Sequence, residues 1–219
     1  MTDSASDKTN KGGLILWPAL ITFAITILRL EGELHHWGSV WFNTSAGGGG
    51  AIVGISWLPI VFGPYFALRL SKAGAGPANY RKAFGSTLGA LAVMVLGAIL
   101  VIVTEAHPGV LTLAGFVIML VGAFVPLIGW RSLAGTLLVY AFAARIPVLV
   151  VMCLALSGNW GTHYDAVPAR YQDVAFWNKF FAVAVLPQMC LWISYTVVIG
   201  SLLGEVASAM FGHRAVRAS

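Results

Sequence analysis

The sequence predicts an all-α, polytopic integral membrane protein with six transmembrane helices and both termini in the cytoplasm. Hydrophobic residues make up 58% of its 219 residues and charged residues only 10%, whereas about a quarter of the residues are charged in soluble domains. The mean hydropathy is +0.84. Six apolar runs can each cross a hydrocarbon core of about 30 Å as a helix. This composition excludes a soluble enzyme, a disordered tail and a nucleic-acid-binding protein.

The segments follow one another in a simple order. Residues 1–13 are predicted to form a polar cytoplasmic tail without a signal-peptide cleavage site, so the first span is expected to be an uncleaved anchor. The helical bundle is expected to occupy residues 14–204, and residues 205–219 to form a basic cytoplasmic tail. The six predicted spans are 14–34, 50–71, 84–104, 108–129, 132–157 and 180–204.

The basic residues predict the orientation of this bundle. An even number of spans puts both termini on the same side of the membrane. Nine of the 13 Lys and Arg residues fall on that side, and only Arg170 and Lys179 fall in the opposite loops. Because cytoplasmic loops carry an excess of Lys and Arg, the termini are predicted to be cytoplasmic. We expect a plasma membrane of the bacterial inner-membrane type, with the aromatic loops 35–49 and 158–179 outside.

Glycine spacing predicts where helices approach one another closely. Gly115, Gly122 and Gly129 recur every seven residues in and after the fourth span, and Gly85 and Gly89 form a GxxxG pattern in the third. Small residues at such spacing let membrane helices pack with their backbones close together. We expect both sets of glycines to lie at helix contacts.

Polar residues inside the apolar runs predict a substrate site in the outer half of the bundle. Arg145 lies almost at the centre of the fifth span, where a charge is costly and usually paired. Arg29 and Glu33 are four residues apart, so they can pair on one helical face, which leaves Glu31 as the expected partner of Arg145, with Glu33 as the alternative. Gln188 falls at a similar depth in the sixth span. A site of Arg29, Glu33, Arg145 and Gln188 is therefore predicted, against the alternative of an ion-pair network that only fixes helix positions.

A second pattern at the end of the first span suggests a metal site. Glu31 and His35 share one helical face, while Glu33 and His36 have the Glu-x-x-His spacing of di-iron bundles. These four residues are the predicted ligands of a divalent metal at the external face. A second copy of the motif, which a di-iron site would need, is missing from the sequence.

Three functions remain open at this level. The leading hypothesis is a small transporter or permease for a small polar or anionic solute, favoured by prolines that interrupt several spans but weakened by the lack of an inverted repeat. The second is a non-catalytic subunit of a larger membrane complex or of a homo-oligomer, with the glycine pattern and aromatic outer face as docking surfaces. The third is a metal-dependent membrane enzyme. In each case the expected surroundings are the lipid bilayer.

Overall fold

A computed structural model describes residues 11–48 and 51–216 of the chain. Over these residues the fold is all-α and no strand occurs. Most of the predicted N-terminal tail, the glycines at 49 and 50 and the last three residues of the predicted C-terminal tail lie outside the described residues.

The described part of the chain contains seven α-helices, of which the last two belong to one continuous helical rod. Two π-helical segments, Phe181–Val185 and Pro187–Trp192, join the sixth helix to the seventh. A 3₁₀ turn, Val125–Ile128, follows α4. The helices are α1 Lys11–Leu34, α2 Leu58–Lys72, α3 Tyr80–Val103, α4 Val110–Gly122, α5 Arg131–Gly158, α6 Phe176–Phe180 and α7 Ile193–Val216.

Within residues 11–48 and 51–216, five helical segments are long and apolar enough to cross a membrane. Their outward faces carry large apolar side chains, and on α3 Val95 and Ile102 are 46% and 66% exposed. Such a continuous apolar surface requires a lipid or protein environment. The prediction of an all-α, multi-pass membrane protein is therefore confirmed at this level.

The predicted second span, 50–71, is wrong in its first half. Residues 51–57 form turns, and α2 begins only at Leu58. Glycine disfavours a helix because its backbone loses the most conformational freedom, and Pro59 at the start of α2 suits the first helical turn. The 15 residues of α2 reach about 22 Å, which is less than the thickness of a hydrocarbon core.

The sixth span is longer than predicted at both ends. Its apolar rod runs from Phe176 to Gly212, a length of 37 residues, and the helix continues to Val216, so most of the segment assigned to a C-terminal tail is helical. Pro187 has no backbone N–H to donate, and the helix widens into its two π segments on either side of Leu186.

Glycine contacts hold the helices together, but only part of the predicted pattern takes part. A Cβ atom at Gly115 would lie 2.8 Å from the carbonyl oxygen of Gly97, which confirms the close approach of α4 to α3. Gly85 and Gly89, in contrast, face open space, so the predicted GxxxG groove is wrong. The closest approach that the sequence analysis missed joins α2 to α7, where Gly63 lies directly against the backbone of Gly200.

We expect Gly63→Ala to destabilise the protein by about 1–3 kcal/mol, because overpacking at a backbone contact forces the two helices apart. Gly89→Ala is the matched control, since its added methyl group meets no atom within 4 Å. Apparent melting temperatures of the purified variants compare the two. A Gly63→Ala protein as stable as Gly89→Ala would contradict the α2–α7 contact.

Candidate functional site

A cavity of about 440 Å³ lies at the end of the bundle where α1 and α5 finish and α4 begins. Its wall is largely apolar, with Ile25, Phe116 and Val148 among the lining residues. Three arginines and one glutamate are the charged residues in the lining, so it is cationic overall. The polar residues that line it are Thr26, Arg29, Ser56, Glu105, Thr112, Arg145, His163, Tyr164, Arg170, Tyr171 and Gln188.

The carboxylate of Glu33, beside this cavity, contacts three hydrogen-bonding groups. Arg29 Nε donates to Glu33 Oε1 at 2.8 Å, which confirms the predicted pair within α1. His163, in the loop after α5, adds two contacts: its backbone N–H donates to Oε2 at 2.8 Å, and its ring Nδ1 lies 2.6 Å from Oε1. Glu33 is only 1% exposed, so these donors replace the water that a carboxylate would otherwise bind.

The loop that carries His163 is held by its own hydrogen bonds. Asp165 accepts from the backbone N–H of Gly161 at 2.8 Å and from that of Thr162 at 2.7 Å. The hydroxyl of Tyr164 donates to the carbonyl oxygen of Thr26 at 3.2 Å. The bonds to Asp165 hold the loop in shape, and the Tyr164 bond fixes it against α1, so His163 meets Glu33 in a defined orientation.

Burial lowers the pKa of His163 below its usual value of 6.5; its hydrogen bond to the Glu33 carboxylate opposes this shift, and the charge of Arg29 adds to it. The ring is therefore neutral at neutral pH. Nδ1 must then carry the proton, since it faces a carboxylate that can only accept. In this state the Glu33 charge is balanced by Arg29, with His163 as a neutral donor.

Arg145 occupies the opposite wall of the cavity and is 4% exposed. Its Nη1 donates to Gln188 Oε1 at 3.3 Å, and its Cζ lies 4.7 Å from the ring centroid of Trp192. Its Nε has no hydrogen-bond partner. The guanidinium is thus held by a neutral amide and an aromatic ring, and it forms no salt bridge among the residues that the structure describes.

The predicted pairing of Arg145 with Glu31 or Glu33 is wrong. Glu33 is already bound by Arg29 and His163. Glu31 lies on another face of α1, where its half-exposed side chain is 3.4 Å from His35. Two residues along a helix differ by about 200° in direction, so Glu31 and Glu33 could not both face the cavity.

The predicted substrate site is thus assembled in part. Arg29, Arg145 and Gln188 all line the cavity, whereas Glu33 lies behind Arg29 and holds it. Gln188 is on the second π segment, and its amide also contacts the sulfur of Met152 at 3.7 Å. At the mouth, Arg170 Nη1 donates to Glu105 Oε1 at 2.9 Å in an exposed ion pair.

The four predicted metal ligands do not form one site. Glu31 and His35 are half-exposed or more, Glu33 is buried, and His36 follows the end of α1 with a positive φ of 52°. No group of three or more His, Cys, Asp or Glu side chains suited to a metal ion occurs within residues 11–48 and 51–216. The metal hypothesis therefore gains no support from the geometry.

Sequence reasoning missed three residues of the site. His163 was predicted only to be external, Tyr164 was treated as an interfacial aromatic, and Trp192 was not singled out. Trp192 lies four residues after Gln188, so helical spacing could have placed them on one face. Nothing in the sequence signals the contact between His163 and Glu33, because the two are 130 residues apart.

Comparison of the chain with protein-family models, with curated proteins and with solved structures gave no match in any of the three. The class of the protein therefore follows from its own fold and site. It is an all-α, multi-pass membrane protein with a cationic cavity at one end of its bundle.

We expect His163 to contribute a loss of stability as the pH is lowered from about 7.5 to about 5.5, measured as the difference in apparent melting temperature between the wild type and His163→Gln. Because the folded-state pKa of His163 is lowered, the unfolded chain takes up a proton below about pH 6.5 that the folded protein does not, and stability is lost as the pH falls through this range. His163→Gln should flatten this dependence, since its amide can still donate to Glu33.

His107→Gln, in the exposed turn between α3 and α4, is the matched control and should keep the wild-type slope. An unchanged slope in His163→Gln would show that His163 does not couple stability to pH.

Proposed function

We propose that this protein is a transporter of a small anionic solute, with the cavity as its binding site. The observation that carries the proposal is Arg145, a buried guanidinium that meets no carboxylate among the described residues and leaves Nε unbonded. A buried charge without an ionic partner is strongly unfavourable. An anion in the cavity would supply that partner, together with charge-assisted hydrogen bonds.

The cavity also suits a small organic anion in size and surface. Its volume of about 440 Å³ lies in the range of about 300–1,000 Å³ that is usual for small-molecule sites. Arg29 and Arg145 present charge from α1 and α5, and Phe116 and Val148 present apolar surface. A carboxylate or other monoanion with a small apolar group matches both features.

Movement of the solute, rather than binding alone, is favoured by the π segments in the rod that joins α6 to α7. Gln188 and Trp192, which hold Arg145, both belong to the π segment that begins at Pro187. π-Helical segments of this kind are frequent at functional sites. A change in the π segment would alter the contacts of Arg145 directly.

We further propose six membrane crossings, with α2 as a short second crossing, so that both termini are cytoplasmic and the cavity opens outside. Five basic residues at the helix ends and loops opposite the cavity are exposed, which fits the cytoplasmic excess of Lys and Arg. These residues are Arg69, Lys72, Arg81, Lys82 and Arg131. The expected membrane is a bacterial-type plasma membrane.

Cysteine labelling tests this orientation. In a background of Cys153→Ala and Cys190→Ala, Ser39→Cys should react with an impermeant maleimide in intact cells, because it lies in the external loop. Ala73→Cys should react only after permeabilisation. Both positions are exposed, so the two variants differ only in the side of the membrane on which the cysteine is expected. The reverse labelling pattern would show that the bundle has the opposite orientation.

Anion binding is tested by thermal stabilisation of the purified protein. We expect at least one of chloride, phosphate, acetate, lactate and benzoate to raise the melting temperature, by an amount that grows with its concentration. Arg145→Lys should weaken the binding of that anion about 10- to 100-fold, since lysine lacks the planar fork of donors. Arg145→Met should abolish the increase in melting temperature.

Arg170→Gln is the matched control. Because Arg170 lies at the exposed mouth of the cavity, this variant should keep more of the anion-induced increase in melting temperature than the Arg145 variants. A shift that survives in Arg145→Met, or wild-type protein that none of the five anions stabilises, would refute the anion site.

A further inference from the structure

A second buried ionisable group lies in the half of the bundle opposite the cavity. Glu205, on α7, is fully buried at 0% exposure. Thr87 Oγ1, on α3, donates to Glu205 Oε1 at 2.7 Å. The other carboxyl oxygen, Oε2, and the hydroxyl of Ser201 one turn earlier on α7 are buried without a hydrogen-bond partner.

No basic side chain neutralises Glu205 among the residues that the structure describes. The charged residues of the neighbouring α2 and α3, namely Arg69, Lys72, Arg81 and Lys82, are exposed at the helix ends. On α5, Arg131 is exposed and Arg145 lies in the cavity. A carboxylate in such a place would be an uncompensated buried charge, whereas the protonated acid is neutral and turns one oxygen into a donor.

We propose that Glu205 is a proton-binding site, occupied by a proton in this conformation, and that the proton travels with the anion of the external cavity. The coupling of the proton to the anion rests on the transport function proposed above, whereas the proton site itself does not. A monovalent anion and a proton that cross together carry no net charge. Both species are taken up on one side and released on the other, and no bond other than the carboxyl O–H is made or broken.

A chain of hydroxyl groups lies about one helical turn beyond Glu205, toward the proposed cytoplasmic end, and no hydrogen bond of the described residues joins it to the carboxyl group. Ser208 follows Glu205 by three residues and so lies on the same face of α7. Its Oγ is 2.6 Å from Ser71 Oγ on α2 and 2.8 Å from the hydroxyl of Tyr80 on α3. Ser208 is buried, while Ser71 and Tyr80 are half-buried. Hydroxyls donate and accept at once, so such a chain can relay a proton.

The other tyrosines on the packed helices do not belong to this chain. On α2, Tyr65 is 37% exposed. On α5, the hydroxyl of Tyr140 is 2.8 Å from Thr22 Oγ1 on α1. The described residues of α4 contain no titratable side chain. Tyr80, whose hydroxyl is hydrogen-bonded to Ser208, is therefore the titratable side chain of the hydroxyl chain near Glu205.

One helical rod carries both sites, which supports coupling between them. Gln188 and Trp192 hold Arg145 at one end of the rod, and Glu205 lies near its other end. Ser194 lies between them and donates to the carbonyl oxygen of Met119 on α4 at 2.6 Å. A shift of the rod that changes the contacts of Arg145 would also move Glu205 relative to Thr87.

Infrared spectroscopy tests the proton site without any substrate. Purified protein at neutral pH should show the C=O stretch of a protonated carboxyl group, shifted in D₂O, and Glu205→Gln should lose it. Glu105→Gln, at the exposed mouth, should keep it. An unaltered band in Glu205→Gln, or its absence from the wild type, overturns the proposal. A band that appears only when Na⁺ is replaced by choline would assign the site to Na⁺ and also overturn it.

Proteoliposomes with an internal pH dye test the coupling, using the anion that stabilises the wild type. An inward gradient of that anion should acidify the lumen faster than in Arg145→Met liposomes, which report leakage through the lipid. Glu205→Gln should keep the thermal shift and lose the acidification. Full acidification in Glu205→Gln overturns the coupling, whereas failure of every anion to bind refutes the transport function and leaves the infrared result to decide the proton site.

Discussion

The buried carboxylate of Glu33 organises the half of the bundle that contains the cavity. In a medium with little water, a carboxylate must be bound by donors from the protein itself. Arg29 supplies one donor from the same helix, and His163 supplies two from a loop that lies far away in the sequence. This cluster fixes the loop after α5 against the end of α1 and so forms one wall of the cavity.

The same cluster explains why Arg145 is available to a ligand. Since Glu33 is bound by Arg29 and His163, Glu31 lies on the outer face of α1 and Glu105 pairs with Arg170, Arg145 forms no ion pair among the residues that the structure describes. Arg145 instead rests on Trp192 and Gln188, two neutral groups that hold a guanidinium without cancelling its charge. The cavity therefore combines one satisfied arginine with one that lacks an ionic partner, which is the property expected of an anion site.

The two halves of the bundle bury different ionisable groups. The half with the cavity contains Arg29 and Arg145 in the cavity lining, and the opposite half contains Glu205 near hydroxyl groups. The rod of α6 and α7 extends through both halves. Close backbone contact between Gly63 of α2 and Gly200 restrains the α7 part of the rod. The two π segments on either side of Leu186 make the part of the rod beside the cavity less regular.

Composition and basic-residue asymmetry by themselves determined the class and predicted the orientation, because the bilayer acts on each residue according to its own polarity. Local spacing also gave the Arg29–Glu33 pair, since neighbours on one helix meet in any fold. The start of α2 was misjudged because apolar residues can also pack in turns. The end of the sixth span was predicted too early, so Glu205 was assigned to the C-terminal tail although it lies in α7. Only the tertiary structure decided the partners of Glu33, Arg145 and Glu205, because these contacts join different helices and loops, and their geometry depends on how the whole bundle packs.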